Sequence, residues 1–343
     1  MHQSALVLIA AISAASALKL AGSVFAPIAL ALFIIAIFWP MQRELQRRMP
    51  RLLALAVTTV LMVAVVVAFG SLIAWAFTRV IRSVVADASQ LQALYDQAAD
   101  WLEARGIAIA GVWAEHFNVG WMIRRAQGIT GRINSTLSFW LVVFVYVILG
   151  LLEVEDFERR ARAIRDPEIA YGIANGSKTT ALKIRRYMVV RTQMSLVTGL
   201  LVWLFAKVIG LQFAEEWGVI AFALNYIPFL GPFFATFFPT VFAIAQFQSW
   251  QAVLGVFAVL NAIQFIVGSY VEPRVSGNAL SISPTVILLA IFFWTYIWGL
   301  FGTFIGVPIT IALLTFAAQY PASRWLAELL GMDDEPLPPT VKG

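Results

Sequence analysis

The chain has 343 residues, of which 61% are hydrophobic and only 13% charged, with a net charge of +5. A soluble domain carries roughly a quarter charged residues, so a water-soluble fold of this size is excluded. The absence of cysteine excludes disulfides and thiolate chemistry, and His2 and His116 are too few and too far apart to make a metal site.

In chain order, residues 4–40 carry a single charge, Lys19, and are long enough for a tight pair of short helices. The small residues Ser13 to Ala17 resemble a leader. No basic stretch precedes them, however, and the apolar run resumes after Lys19, which favours retained membrane helices. Residues 52–78 are charge-free, and 133–152 form another clean span. Residues 192–214 make a further span, interrupted by Lys207, which is expected to snorkel to the interface. From 192 to 323 the only charges are Lys207, Glu215, Glu216, Glu272 and Arg274. The pattern predicts an all-α polytopic membrane protein with about eight membrane segments, including broken or re-entrant helices in the C-terminal half.

Sidedness follows from the basic residues. Arg43, Arg47, Arg48 and Arg51 face Glu44 alone, and residues 153–191 carry nine basic side chains against six acids. Both segments are expected in the cytoplasm, together with the N-terminus. Residues 79–132 are nearly balanced and fit the outer side. Within them Val84, Ala88, Leu91, Tyr95, Ala98 and Leu102 recur at helical spacing and predict an amphipathic helix that lies on the membrane or packs on a neighbouring subunit. The expected divisions are 1–78 for N-terminal membrane helices, 79–132 for the outer polar segment and 133–152 for a span. Next come 153–191 for a cytoplasmic helical segment, 192–323 for a membrane transport core and 324–343 for a cytoplasmic tail, partly disordered.

The most informative residues are helix breakers inside charge-free runs. Backbone at membrane depth must be hydrogen-bonded, so broken helices persist only where protein or a cavity surrounds them. One break is Asn225 to Pro232, where Pro228, Gly231 and Pro232 forbid a regular helix. A second comprises Glu272, Pro273 and Arg274, then Ser281, Ser283 and Pro284. A third is the series Gly299, Gly302, Gly306 and Pro308, whose glycines suit close helix packing better than ligand contact. Asn261 and Gln264, in a strongly apolar run, read as interhelical hydrogen-bond partners. Paired interrupted segments are a mark of transporters, although no residue-level internal repeat is evident.

These residues resemble the AI-2E family of bacterial transporters (the autoinducer-2 exporter family). The resemblance rests on Leu224-Asn225-Tyr226-Ile227-Pro228-Phe229-Leu230-Gly231-Pro232, on Glu272-Pro273-Arg274 with Pro284 beyond, and on Gly299-Leu300-Phe301-Gly302 running to Gly306-Val307-Pro308. It implies a homo-oligomer, a pentamer, in the bacterial inner membrane, exporting an autoinducer-2-like solute by an elevator-like movement. The transport core would then comprise Asn225, Pro228, Gly231, Pro232, Asn261, Gln264, Glu272, Pro273, Arg274, Ser283, Pro284, Gly302, Gly306 and Pro308. A sodium- or lithium-for-proton antiporter is the alternative, with Glu272 as the titratable carboxylate. Near this core Lys207, Glu272 and Arg274 are the only ionisable groups expected, which argues against a simple carboxylate relay. A non-transporting membrane scaffold is an alternative of another class. No Ser/His, HExxH or paired-Asp constellation lies in the spans, so no enzyme is expected. Nor is any metal, cofactor or nucleic-acid partner; the expected partners are a small solute or ion, the lipid bilayer and further copies of the chain.

Overall fold

The computed structural model of the chain describes residues 2–86, 133–276 and 282–331. The expected amphipathic helix from residue 87 onward and the expected tail beyond residue 331 lie outside the described residues, whereas the start of that tail, to Leu329, is helical. Eleven α-helices follow one another, and there is no strand among the described residues. They are α1 (His2–Leu20), α2 (Gly22–Gln46), α3 (Arg51–Ala86), α4 (Ile133–Arg162), α5 (Pro167–Val208) and α6 (Ala214–Leu224). The rest are α7 (Leu230–Phe247), α8 (Trp250–Ile266), α9 (Glu272–Ser276), α10 (Pro284–Gln319) and α11 (Pro321–Leu329). A π-helical turn, Val267–Val271, joins α8 to α9. Among the described residues seven helical stretches are long and apolar enough to cross a membrane, against about eight expected membrane segments.

Helix starts are written locally. Asp166 accepts the backbone N–H groups of Glu168 and Ile169 through one carboxylate oxygen, and Pro167 opens α5 where a missing N–H costs nothing. Pro284 and Pro321 open α10 and α11 in the same way. The span expected at 192 is therefore the second half of one 42-residue helix. Its first half holds the basic segment, whose charged residues do not interrupt helical geometry.

The described chain forms two compact units. The first takes residues from α1, α2, the start of α3, most of α4, the first part of α5, and then α10 and α11. Its α2 face buries Ala26, Leu30, Ala31, Phe33 and Ile34 at the three- and four-residue spacing of one helical stripe. Close helix approach is set by small residues: a Cβ on Gly150 would lie 2.3 Å from Ile35, and one on Gly176 would lie 2.9 Å from Phe316. Asn175 donates to Gln319 at 2.8 Å beside that glycine, and Arg51 donates to the Leu152 carbonyl.

The second unit takes the later part of α3, the last part of α5, and α6 through the π-helical turn to Pro273. Its core includes Ala76, Val80, Val202, Trp217, Ile220, Ala235, Val256 and Leu260. Helices α5 and α6 cross at glycine: a Cβ on Gly199 would stand 2.8 Å from the Gly218 carbonyl oxygen, and one on Gly218 would stand 2.9 Å from that of Gly199. The Gln246 side chain accepts from the Gln212 N–H at 2.8 Å and donates to the Gly210 carbonyl at 2.7 Å, which ties the α5–α6 connection to the end of α7.

Candidate functional site: two broken helical hairpins

The first break lies in the second unit. Helix α6 ends at Leu224 and the chain reverses into α7, with Phe242 packed on Phe213 and Trp217 across the hairpin. The reversal is a γ-turn at Phe229 (φ 62°, ψ −53°), closed by a bond from the Leu230 N–H to the Pro228 carbonyl at 2.7 Å. This backbone conformation is rare and strained for a non-glycine residue. Gly231 is obligatory, because a Cβ there would fall 1.9 Å from the Leu224 carbonyl oxygen. Asn225 is buried and its amide reaches Ser195 Oγ at 3.5 Å. The Tyr226 hydroxyl donates to Thr192 Oγ1 at 3.0 Å, while its ring meets Phe69 and Phe222 edge-on.

The second break lies in the first unit, inside α10. Trp298 (φ −126°, ψ 15°) and Gly299 (φ 60°, ψ −138°) leave helical geometry. Trp294 Nε1 donates to Thr310 Oγ1 at 3.2 Å, and the hydroxyls of Thr295 and Thr303 lie 2.7 Å apart. In a straight helix residues 294 and 310 would be about 24 Å apart, so α10 is a hairpin whose arms are residues 284–297 and 300–319. Gly302 and Gly306 face Trp294 across it, the former with a Cβ position 1.8 Å from the Trp294 carbonyl oxygen. Both are packing glycines. Pro308 is buried in the second arm, and Pro284 begins the first after Ser283 at the N-cap. The turn between α1 and α2 packs against the break: Trp298 Nε1 donates to the Leu18 carbonyl at 3.0 Å and Lys19 Nζ lies 3.5 Å over the Tyr296 ring.

The two tips share a Tyr-Ile pair and a positive φ, although the turn residues differ in ψ, −53° at Phe229 and −138° at Gly299. Tyr226-Ile227-Pro228-Phe229 corresponds to Tyr296-Ile297-Trp298-Gly299, with the positive φ on the fourth residue of each. A close-approach glycine, Gly231 or Gly302, then backs onto the last carbonyls of the first arm. The third and fourth side chains differ and one extra residue precedes Gly302, so the close glycine approach is the feature common to both tips.

Other expected residues stand differently. Asn261 is exposed and donates to the Phe257 carbonyl of its own helix at 2.8 Å, so it does not link helices. Gln264 is half-buried, and its amide nitrogen has no protein partner among the described residues. At Glu272-Pro273-Arg274 the helix is widened more than broken: the Glu272 N–H donates to the Val267 carbonyl five residues back. Pro273 has no N–H and its ring crowds the preceding turn, and the wider π-turn relieves that clash. Glu272 is half-buried and Arg274 exposed.

The buried carboxylate is instead Glu216, only 1% exposed, paired with Arg79 Nη1 at 2.8 Å. This corrects the expectation that Lys207, Glu272 and Arg274 were the only ionisable groups of the core. Glu216 was legible only as one of two adjacent acids between spans, and the first turn of α6 carries it into the interior. Its neighbour Glu215 is exposed, at 3.2 Å from Lys207.

The sequence profile described as AI-2E family transporter matches residues 5–322. The chain is 25% identical over 315 residues to the AI-2 transport protein TqsA of Escherichia coli (strain K12), covering 91% of each. Two further relatives are named for transport without a stated substrate. YhhT of Escherichia coli (strain K12) is 30% identical over 203 residues, 59% of this chain and 57% of that protein. YrrI of Bacillus subtilis (strain 168) is 24% identical over 324 residues, 88% of each.

Proposed function

The chain belongs to the AI-2E transporter family, and from that premise we propose that this membrane transporter exports a small polar solute of the autoinducer-2 type by elevator-like alternating access. The observation that carries the reading is the pair of hairpin breaks. A protein that only had to sit in lipid has no use for a strained γ-turn at Phe229 or for backbone freed at Gly299. The polar groups at the first tip, Asn225, Ser195, Tyr226 and Thr192, are uncharged and suit a hydroxylated solute. The name of TqsA supports the solute class. The N-terminus and the arginine-rich segments face the cytoplasm, and the chain assembles as a homo-oligomer, a pentamer, in the bacterial inner membrane.

The test is accumulation of autoinducer-2 in inverted membrane vesicles. Asn225→Ala and Pro228→Ala are expected to lower it at least tenfold at equal protein level. Unchanged rates in both, with loss on deleting the polar segments instead, favour a non-transporting scaffold.

Sodium- or lithium-for-proton antiport is the second reading, and the buried Glu216–Arg79 pair is what favours it. An imposed sodium gradient that moves protons in reconstituted vesicles, abolished by Glu216→Gln or Glu272→Gln, displaces the organic solute.

A further inference from the structure

The open end of the α10 hairpin is strapped by α11. Near the start of α11 the Ser323 hydroxyl donates to the Ala317 carbonyl of the second arm at 2.8 Å. Just past its end the Leu330 carbonyl accepts the Ser283 N–H, at the start of the first arm, at 3.5 Å. Tyr320 (φ −116°, ψ 129°) makes the corner between α10 and α11. Because it bridges the ends of both arms, α11 runs across them. The arms run into the membrane, so the axis of α11 lies along the bilayer plane.

Its height follows from the same corner. A Cβ on Gly172 would lie 3.0 Å from the Tyr320 ring and hydroxyl. Gly172 stands in the charged first half of α5, between Glu168 and Lys178. The corner is therefore where apolar surroundings give way to polar ones, the headgroup level at which tyrosine and tryptophan concentrate.

Around its axis, at about 100° per residue, α11 divides into three faces. Ser323, Ala327 and Leu330 are buried or half-buried against the protein. Arg324 and Glu328 form a second face, joined by an ion pair at 2.9 Å. Ala322, Trp325, Leu326 and Leu329 recur at the spacing of one helical stripe and form the third. All four are exposed, Trp325 at 61% and Leu329 at 72%, so nothing in the first unit covers them. The Trp325 indole N–H already donates to the Ala322 carbonyl at 3.1 Å, which leaves its ring with no polar demand. This apolar face is centred roughly 130° from the ion-paired one.

We propose that α11 is an interfacial helix. It inserts Ala322, Trp325, Leu326 and Leu329 among the lipids of the leaflet on the arginine-rich side and turns Arg324 and Glu328 to water. Lipid is the occupant because the helix lies along the bilayer plane, at headgroup height, with an apolar stripe and a charged face on different sides. The tail expected to be cytoplasmic thus begins as a membrane contact that anchors both arms of the α10 hairpin at one depth. The inference requires only that the chain lie in a membrane and is independent of the solute carried.

The test introduces Ala322→Cys, Leu329→Cys and Glu328→Cys singly into the full-length protein, which has no cysteine of its own. Each variant is labelled with a nitroxide and reconstituted into vesicles of phosphatidylethanolamine and phosphatidylglycerol. Collisions of the label with oxygen, which concentrates in lipid, are compared with collisions with a water-soluble nickel chelate. Oxygen is expected to exceed nickel at least threefold at positions 322 and 329, with the order reversed at 328. An excess of nickel at 322 or 329 puts the face in water and overturns the proposal. A label shielded from both reagents there also overturns it, because a second copy or another protein surface then covers the face. A measurement free of labels checks the result. Trp325 is one of twelve tryptophans, and Trp325→Phe should remove part of the fluorescence that phospholipids brominated in their acyl chains quench. An unchanged quenched component means that the indole lies outside the lipid, and the proposal fails.

Discussion

At the scale of single residues, glycine positions separate into two kinds with opposite predicted effects. A Cβ on Gly231 or Gly302 would overlap a backbone carbonyl, at 1.9 and 1.8 Å, and neither neighbour is a side chain that can swing away. Gly231→Ala and Gly302→Ala are therefore expected to destabilise by at least about 1–3 kcal/mol and to lower transport with it. Gly255 and Gly268 have nothing within 4 Å. Alanine there should be neutral or add up to about 1 kcal/mol of helix stability, read as melting temperature in detergent. The Arg79–Glu216 pair predicts a second asymmetry. Arg79 is 60% exposed and can turn to water when Glu216→Gln removes its partner, whereas Arg79→Ala leaves a carboxylate buried at 1% exposure. Arg79→Ala should be the more destabilising of the two, by about 3–5 kcal/mol, and comparable melting temperatures for the two variants would refute this account. Neither asymmetry can be read from residue type alone, because both depend on what each side chain meets after folding.

At the scale of elements, the hairpins owe their shape to a few backbone-level contacts. Helices α5 and α6 meet through Gly199 and Gly218, each too close to the other's carbonyl to admit a larger side chain. Gly199→Leu and Gly218→Leu should each separate the helices and abolish transport, with loss of the folded peak in size-exclusion chromatography as the check. The tip of the α10 hairpin is held differently, by the Trp298 indole on the Leu18 carbonyl. Trp298→Phe keeps most of the packing but loses that bond, which is worth about 1 kcal/mol. Protease cleavage near residue 299 should become faster while the rest of the digestion pattern is retained. Proline and glycine marked these elements in the sequence, because only backbone geometry has to be encoded there. The partner across each hairpin was not marked, since any apolar or small residue reads alike until it is placed.

At the scale of the whole molecule, the arginine distribution makes a prediction about sidedness. The chain has no cysteine, so single cysteines can be introduced without background. Cysteine at Gln46 or at Ala163 should resist a membrane-impermeant thiol reagent applied to intact cells and react only after permeabilisation. Labelling from outside would reverse the orientation. The basic residues of the first half of α5 sit on a helix continuous with a span, so charge alone did not reveal where the membrane-crossing helix begins.

By itself the sequence determined the membrane class, the all-helical fold and the helix breaks near 225–232 and 299, though not the continuous π-widened helix at Glu272, because hydrophobic run length and proline or glycine chemistry act locally. Family membership was equally legible, carried by motifs concentrated at those breaks. Tertiary structure alone decided that the breaks at Phe229 and Gly299 close two hairpins. It also placed Glu216 in the interior with Arg79 and turned Asn261 to the surface. Burial and partnership are properties of helices brought together across a hundred or more residues, and no local pattern carries them.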